Sequence, residues 1–234
     1  MDQPPTPRTE ARARSESSTI IPQPGPRPLT SSSPKTQYLI IYNFVSALSW
    51  LVVLGRVCLL VPLVGFGRVY PGVGRFAKWT QTVALLEVLH SAVGIVRAPL
   101  FTTLMQVSSR ILLVWPIVNT FPHLAKSAAY SSMLLAWSIT EVIRYSYFTL
   151  TLSGFSPAFM TWFRYNTFYV LYPLGISSEC WLIWSAVEPA RAIAEPLAWL
   201  LQAILMVYVP GSYVLFSHMM AQRRKIMRKE GKRA

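Results

Sequence analysis

Charge is what this sequence lacks. Only 13% of its 234 residues are Asp, Glu, Lys or Arg, where a soluble domain carries about 25%. That shortfall excludes an ordinary water-facing surface. Cysteine is almost missing too. Cys58 and Cys180 are the two in the chain, both inside apolar segments, so neither a disulfide framework nor a metal site is expected. They read as small buried apolar side chains. Neither has an arginine six positions later, which excludes a cysteine-phosphatase loop. There is no Gly-rich phosphate loop, no HExxH and no GxSxG, and so no anchor for those chemistries. Hydride transfer to a nicotinamide would need a Rossmann unit, which is also missing. His90 has no Cys or second His at ligand spacing and reads as structural. No internal repeat is evident, which weakens a small-transporter reading.

What is present is apolar. Hydrophobic residues make up 53% of the chain, and mean hydropathy is +0.38. They fall in blocks of about twenty with short breaks, the length of a membrane-spanning helix and not of a transmembrane strand. The expected fold is an all-α polytopic membrane protein, with six transmembrane helices around a polar interior cavity. The spans are expected at about 38–64, 79–99, 103–121, 128–152, 162–184 and 195–217, with a Gly/Pro-rich loop over 65–78. Residues 1–37, rich in Pro, Ser, Thr and Arg, cannot bury a core and read as a disordered tail. They lack the apolar stretch of a cleaved signal peptide. Residues 218–234 form a basic tail, helical at first.

The net charge of +13 suggests nucleic acid until its distribution is considered. Seven of the 22 basic residues lie between Arg223 and Arg233, directly after an apolar span. That is the flank of a cytoplasmic membrane face beside anionic lipid. No basic patch interleaved with aromatics appears, so no nucleic-acid partner is expected. An even number of spans puts both termini on that same side. Arg68, Arg75 and Lys78, after the first span, would then face the other way, against the charge rule.

The first and sixth spans are plain, and the middle four carry the polar groups. Glu87 and His90 share a face of the second, as do Glu141 and Arg144 of the fourth. The third begins with Gln106, Ser108, Ser109 and Arg110. Charged side chains inside a bundle turn inward and pair, so Glu87 and Glu141 are the expected counter-ions of the arginines. A buried ion-pair network that fixes helix orientation is one reading of this set. Reception of an anionic head group by Arg110 and Arg164 is the other.

The stretch WFRYNTFYVLYPLGISSECWLIW, 162–184, organises the rest. It is apolar enough to cross a bilayer, yet carries Arg164, Tyr172, Pro173, Gly175 and Glu179. An ionisable group at that depth costs about 2.5–3.5 kcal/mol on insertion scales, so it points to function. Seven residues separate Tyr172 from Glu179, which is about 20° short of two helical turns. Both side chains therefore face one way, roughly 10 Å apart along the axis. A carboxylic acid away from water can both give and take a proton, and a phenol donates hydrogen bonds. Pro173 and Gly175 permit a kink and a close approach between them. A kinked span with an interhelical Tyr–Glu or Glu–Arg hydrogen bond is the alternative.

Four separated segments resemble the very-long-chain (3R)-3-hydroxyacyl-CoA dehydratase family, the protein tyrosine phosphatase-like A proteins. They are LLEVLHSAVGIV at 85–96, TTLMQVSSRILLVW at 102–115, WSITEVIRYSYF at 137–148 and RYNTFYVLYPLGISSE at 164–179. The likeness extends over about 38–217. It implies an enzyme of the endoplasmic-reticulum membrane, with six spans and both termini cytosolic. That enzyme would remove water from (3R)-3-hydroxyacyl-CoA to give trans-2-enoyl-CoA, the third step of fatty-acid elongation, with no cofactor. Its partners would be the acyl-CoA, membrane lipid and the condensing enzyme, ketoacyl reductase and enoyl reductase of that cycle. The family's catalytic tyrosine and glutamate fall on Tyr172 and Glu179, and its supporting positions on Glu87, Gln106, Arg110, Arg164 and Gly175. The expected roles are Glu179 delivering the proton to the C3 hydroxyl and Tyr172, activated, working at C2 or polarising the substrate, with the reverse assignment as the alternative. Many members end in a dilysine signal, whereas this chain ends EGKRA, with Lys232 and Glu230 at those positions. A catalytically silent scaffold of the elongase complex is the competing reading, which the presence of both Tyr172 and Glu179 opposes.

Overall fold

In lipid, a helix is the one open-ended segment that satisfies its own backbone. The computed structural model of the chain describes residues 33–96, 98–155 and 157–230, and among these every regular element is helical. Most of the expected N-terminal tail (1–32), Arg97 and Lys232 lie outside the described residues.

Helix α1 is Pro34–Val64, starting earlier than the expected first span. Gly65, at φ 79°, ends it; that left-handed geometry favours a residue without Cβ. The segment expected as a loop over 65–78 is instead largely helical. A 3-10 turn covers Phe66–Arg68, a π-helical turn Tyr70–Gly74, and α2 runs Arg75–Val83. Pro71 stands at the start of its turn, where its missing N–H breaks no helical bond. After a step at Ala84 comes α3, Leu85–Ala92. Helix α4, Leu100–Leu112, passes into a π-helical turn at Leu113–Ile117 around Pro116. Helix α5 is Ala128–Leu152, capped by the Ser127 hydroxyl, which accepts the Tyr130 N–H. Helix α6, Ala158–Asn166, adjoins α7, Phe168–Ile193. Helix α8 runs Glu195–Glu230, so the first part of the basic tail is helical as expected.

Among the described residues, four stretches are long and apolar enough to cross a membrane: Pro34–Val64, Leu100–Ile117, Ala158–Ile193 and Glu195–Arg224. The expected spans at 79–99 and 128–152 are not among them. The first of these is interrupted at Ala84 and stops at Ala92. The second is a 25-residue helix, whose Ser, Thr, Tyr, Glu141 and Arg144 residues dilute its apolar character.

Helix α7 packs chiefly between α5 and α8. The core around it holds Trp50, Val53, Ile117, Met133, Leu134, Leu182 and Ile183. Helix α8 buries Ala198 and Leu201 but exposes Met206, Val207, Val209 and Val214. Apolar area this extensive on an outer face suits contact with lipid. Replacing Trp50, 1% exposed, with Ala is expected to cost about 3–5 kcal/mol. A lowered Tm in detergent reads that loss, while Leu63→Ala, at a side chain 75% exposed, shifts Tm far less.

Candidate active site

Residues 172, 175 and 179 are spaced three, four and seven apart, so α7 carries them along one side. Gly175 and Glu179 are buried and Tyr172 is half-buried. The Tyr172 hydroxyl donates to the Ser212 carbonyl at 2.9 Å. Glu179 Oε1 accepts the Trp137 Nε1–H at 2.8 Å, and Oε2 accepts the Tyr208 hydroxyl at 3.1 Å. Tyr208 and Ser212 are one turn apart on α8, so that helix meets both members of the pair. Helix α5 closes the opposite side of Glu179 through Trp137. A Cβ added to Gly175 would lie 3.7 Å from Ala136 Cβ and 4.0 Å from Glu179 Oε1. The glycine thus brings α7 close to α5 beside the carboxyl.

The donor inventory constrains this group further. An indole N–H only donates, and a backbone carbonyl only accepts. Glu179 Oε1 is therefore an acceptor, and Oε2 is the oxygen free to exchange a proton. The Tyr172 phenol keeps its proton while it faces Ser212.

Trp137 also joins the pair to a charge network. The Arg110 guanidinium lies 5.1 Å from the centroid of its ring. Arg110 donates to Glu141 Oε1. Arg144 Nε donates to Glu141 Oε2 at 2.7 Å, and its Nη1 and Nη2 fork onto Glu87 at 2.7 Å each. The Tyr145 hydroxyl completes Glu87. Two cations and two anions alternate through α3, α4 and α5 and cancel. Isolated, each would be costly to hold away from water. His90, on the same helix as Glu87, meets the Tyr38 hydroxyl at 2.8 Å and packs at near right angles to the rings of Tyr38 and Tyr42.

The sequence-selected positions therefore separate into groups. Glu87 and Arg110 belong to the network, with Arg144 between Glu87 and Glu141. Arg110 gives its Nη1 N–H to Glu141 there. Gly175 adjoins Glu179. Arg164 is elsewhere, its guanidinium 4.7 Å from the Tyr147 ring and 4.5 Å from the Phe148 ring; it meets no carboxylate among the described residues. Gln106 is exposed, and its side chain makes no hydrogen bond among the described residues. Two recesses, of about 510 and 420 Å³, are lined by Arg56, Arg75 and Trp79 and by Val57, Ser131 and Leu135 respectively. Both lie apart from Tyr172 and Glu179.

Sequence reasoning did not select Trp137, Tyr208 or the Ser212 carbonyl. Tyr208 had a signal: a hydroxyl-bearing residue within an otherwise plain apolar span. A backbone carbonyl has no counterpart in residue type.

The chain matches the family described as protein tyrosine phosphatase-like protein, PTPLA, over residues 81–229. A protein of Schizosaccharomyces pombe named as a probable very-long-chain (3R)-3-hydroxyacyl-CoA dehydratase is 42% identical over 201 residues, 85% of this chain and 97% of that one. PASTICCINO 2B of Oryza sativa subsp. japonica, named for the same activity, is 39% identical over 212 residues, 85% of this chain and 96% of its own. Dehydratase 2 of Homo sapiens is 36% identical over 206 residues, covering 82% and 81%. No solved structure matches.

Removing one partner from a buried ion network leaves an uncompensated charge and costs about 3–5 kcal/mol. Arg144→Ala is expected to lose that much, measured by denaturation in detergent. Glu87→Gln combined with Arg144→Met recovers part of it. At Gly175, Ala makes ordinary van der Waals contact and is expected to retain activity within a few-fold. Gly175→Leu forces α7 from α5 and abolishes activity while the protein still elutes as a folded species in size-exclusion chromatography.

Proposed function

The chain belongs to the protein tyrosine phosphatase-like (PTPLA) family, and from that membership we propose that it is a very-long-chain (3R)-3-hydroxyacyl-CoA dehydratase. It removes water from the 3-hydroxyacyl-CoA to give the trans-2-enoyl-CoA, in the third step of fatty-acid elongation. The observation that carries the reading is the contact of Tyr172 and Glu179 with successive turns of α8, at Ser212 and Tyr208.

The elimination needs a base at C2 and a proton for the hydroxyl leaving C3. The hydrogen-bond directions support Glu179 as the base and Tyr172 as the donor. Trp137 keeps Oε1 an acceptor, so Oε2 takes the C2 proton. The C–H electron pair becomes the C2–C3 double bond and the C3–O bond breaks. The Tyr172 proton completes the water that departs. Water entering after product release takes the proton from Glu179 and returns one to Tyr172, and nothing is consumed. Pro173 and Gly175 bear on how closely the substrate approaches the pair. Glu87 and Arg110 act as positioning residues through Glu141 and Trp137. Gln106 touches neither, so a role for it is in contact with substrate at the exposed face of α4.

The finer placement belongs to the same proposal. The chain crosses the endoplasmic-reticulum membrane six times around a polar chamber that opens for substrate, with both ends in the cytosol. The expected second and fourth spans cross as the interrupted α2–α3 pair, which turns Trp79, Leu85 and Leu89 outward, and as the polar α5, packed among its neighbours. The basic run that begins at Arg223 supports the cytosolic side for the C-terminal end. The condensing enzyme, the two reductases of the cycle and membrane lipid are its partners, and no cofactor or metal enters the step.

Purified protein in detergent, given a long-chain (3R)-3-hydroxyacyl-CoA, is expected to form the trans-2-enoyl-CoA. Tyr172→Phe and Glu179→Gln each lower kcat about 10²–10⁴-fold, the scale of one lost acid or base. A folded wild-type protein that makes no product would leave the scaffold reading instead.

A further inference from the structure

Two kinds of arginine stand near the candidate site. Arg110 and Arg144 are cancelled by carboxylates. Arg164 and Arg223 meet no carboxylate among the described residues, yet both are held. Arg164 lies against the rings of Tyr147 and Phe148 at the end of α5. Arg223 Nε and Nη2 donate to Asn166 Oδ1 at 3.2 and 2.9 Å, and its guanidinium lies 5.3 Å from the Tyr169 ring centroid. An aromatic face or an amide oxygen orients a guanidinium without removing its charge. An oriented, uncancelled fork suits the oxygens of a phosphate.

Their location matters as much as their state. Arg164 and Asn166 close α6 and Tyr169 opens α7, so both cations flank the chain that leads to Tyr172. Ring contacts continue inward: Tyr169 to Phe216 at 6.3 Å between centroids, then Phe216 to Tyr172 at 5.7 Å. Along α8, Arg223 follows Ser212 by eleven residues, roughly 16 Å of helix. An extended pantetheine arm covers a comparable distance between its thioester and its diphosphate.

Resting on the dehydratase reading, we propose that Arg223, set in place by Asn166, and Arg164 together bind the phosphate groups of the coenzyme A moiety, with the thioester carried inward along Tyr169 and Phe216 to Tyr172. The same fork chemistry would accept a lipid head-group phosphate, and the experiment separates the two sources.

Full-length protein in detergent is assayed with one 3-hydroxyacyl chain carried either on coenzyme A or on pantetheine, which has no phosphate. Arg223→Ala is expected to raise KM for the coenzyme A ester by at least about tenfold, the scale of a lost charge-assisted hydrogen bond. KM for the pantetheine ester rises far less. Arg223→Lys retains the charge but loses the fork, and falls between wild type and Arg223→Ala. Asn166→Ala shifts KM in the same direction as Arg223→Ala, by a smaller factor. Adenosine 3′,5′-bisphosphate protects the wild-type protein from thermal unfolding more than it protects Arg223→Ala. An equal KM change for the two esters, or none for either, overturns the proposal. So does an effect that appears only in vesicles containing anionic lipid, which would assign the site to a head group. If wild-type protein turns over neither ester, the dehydratase reading fails, and equal protection of both proteins by the bisphosphate then overturns the subsite as well.

Discussion

Charge held away from water must be cancelled nearby, and the arrangement of this bundle follows from that requirement. Glu87, Arg144, Glu141 and Arg110 alternate in sign across three helices. A charge withdrawn from water and left without a partner is costly, so four of them are tolerable only as a set. Their pairing fixes how α3, α4 and α5 face one another. The network ends at Trp137, whose ring carries Arg110 and whose N–H reaches Glu179. The carboxyl on α7 thus receives direction from the network through a neutral donor, without being drawn into an ion pair that would occupy it.

The other side of the pair is neutral as well. Helix α8 contributes a phenol to Glu179 and a main-chain oxygen to Tyr172, while its outer side exposes Met206, Val207, Val209 and Val214. Arg110 and Arg144, cancelled, therefore hold helices, and Arg164 and Arg223, uncancelled, stand where α6 adjoins α7 and α8. That division follows from partner type alone, since all four side chains are the same and all four are half-buried.

Sequence spacing foretold much of this. Apolar block length gave helices in the right places, and the seven-residue interval gave Tyr172 and Glu179 a common side. The inward pairing of Glu141 also followed, because i,i+3 neighbours share a face whatever the tertiary arrangement. What spacing could not report was non-local or conformational. Glu87 pairs with Arg144, 57 positions away, and no periodicity within one helix reports that. The stretch 65–78 looked like a loop because Gly and Pro usually break helices, but Pro71 sits at a first turn, where it does no harm. Gln106 was selected by family resemblance and is exposed on α4; Arg110, one turn later, faces the network. Trp137 lay inside a recognised segment yet carried no charge to draw notice.

The hold on Tyr172 comes from the main chain of Ser212, whose own hydroxyl turns back to the Val209 carbonyl. Any residue at 212 that keeps α8 helical presents the same oxygen. Codon-by-codon replacement across α8 would thus record 212 as dispensable although the phenol leans on it. Related chains are free to drift there without losing the contact. To disturb it one must alter the axis of the whole helix, so natural variation that retunes this tyrosine is to be sought at prolines and at the Ala194 junction, not at the contacting position itself.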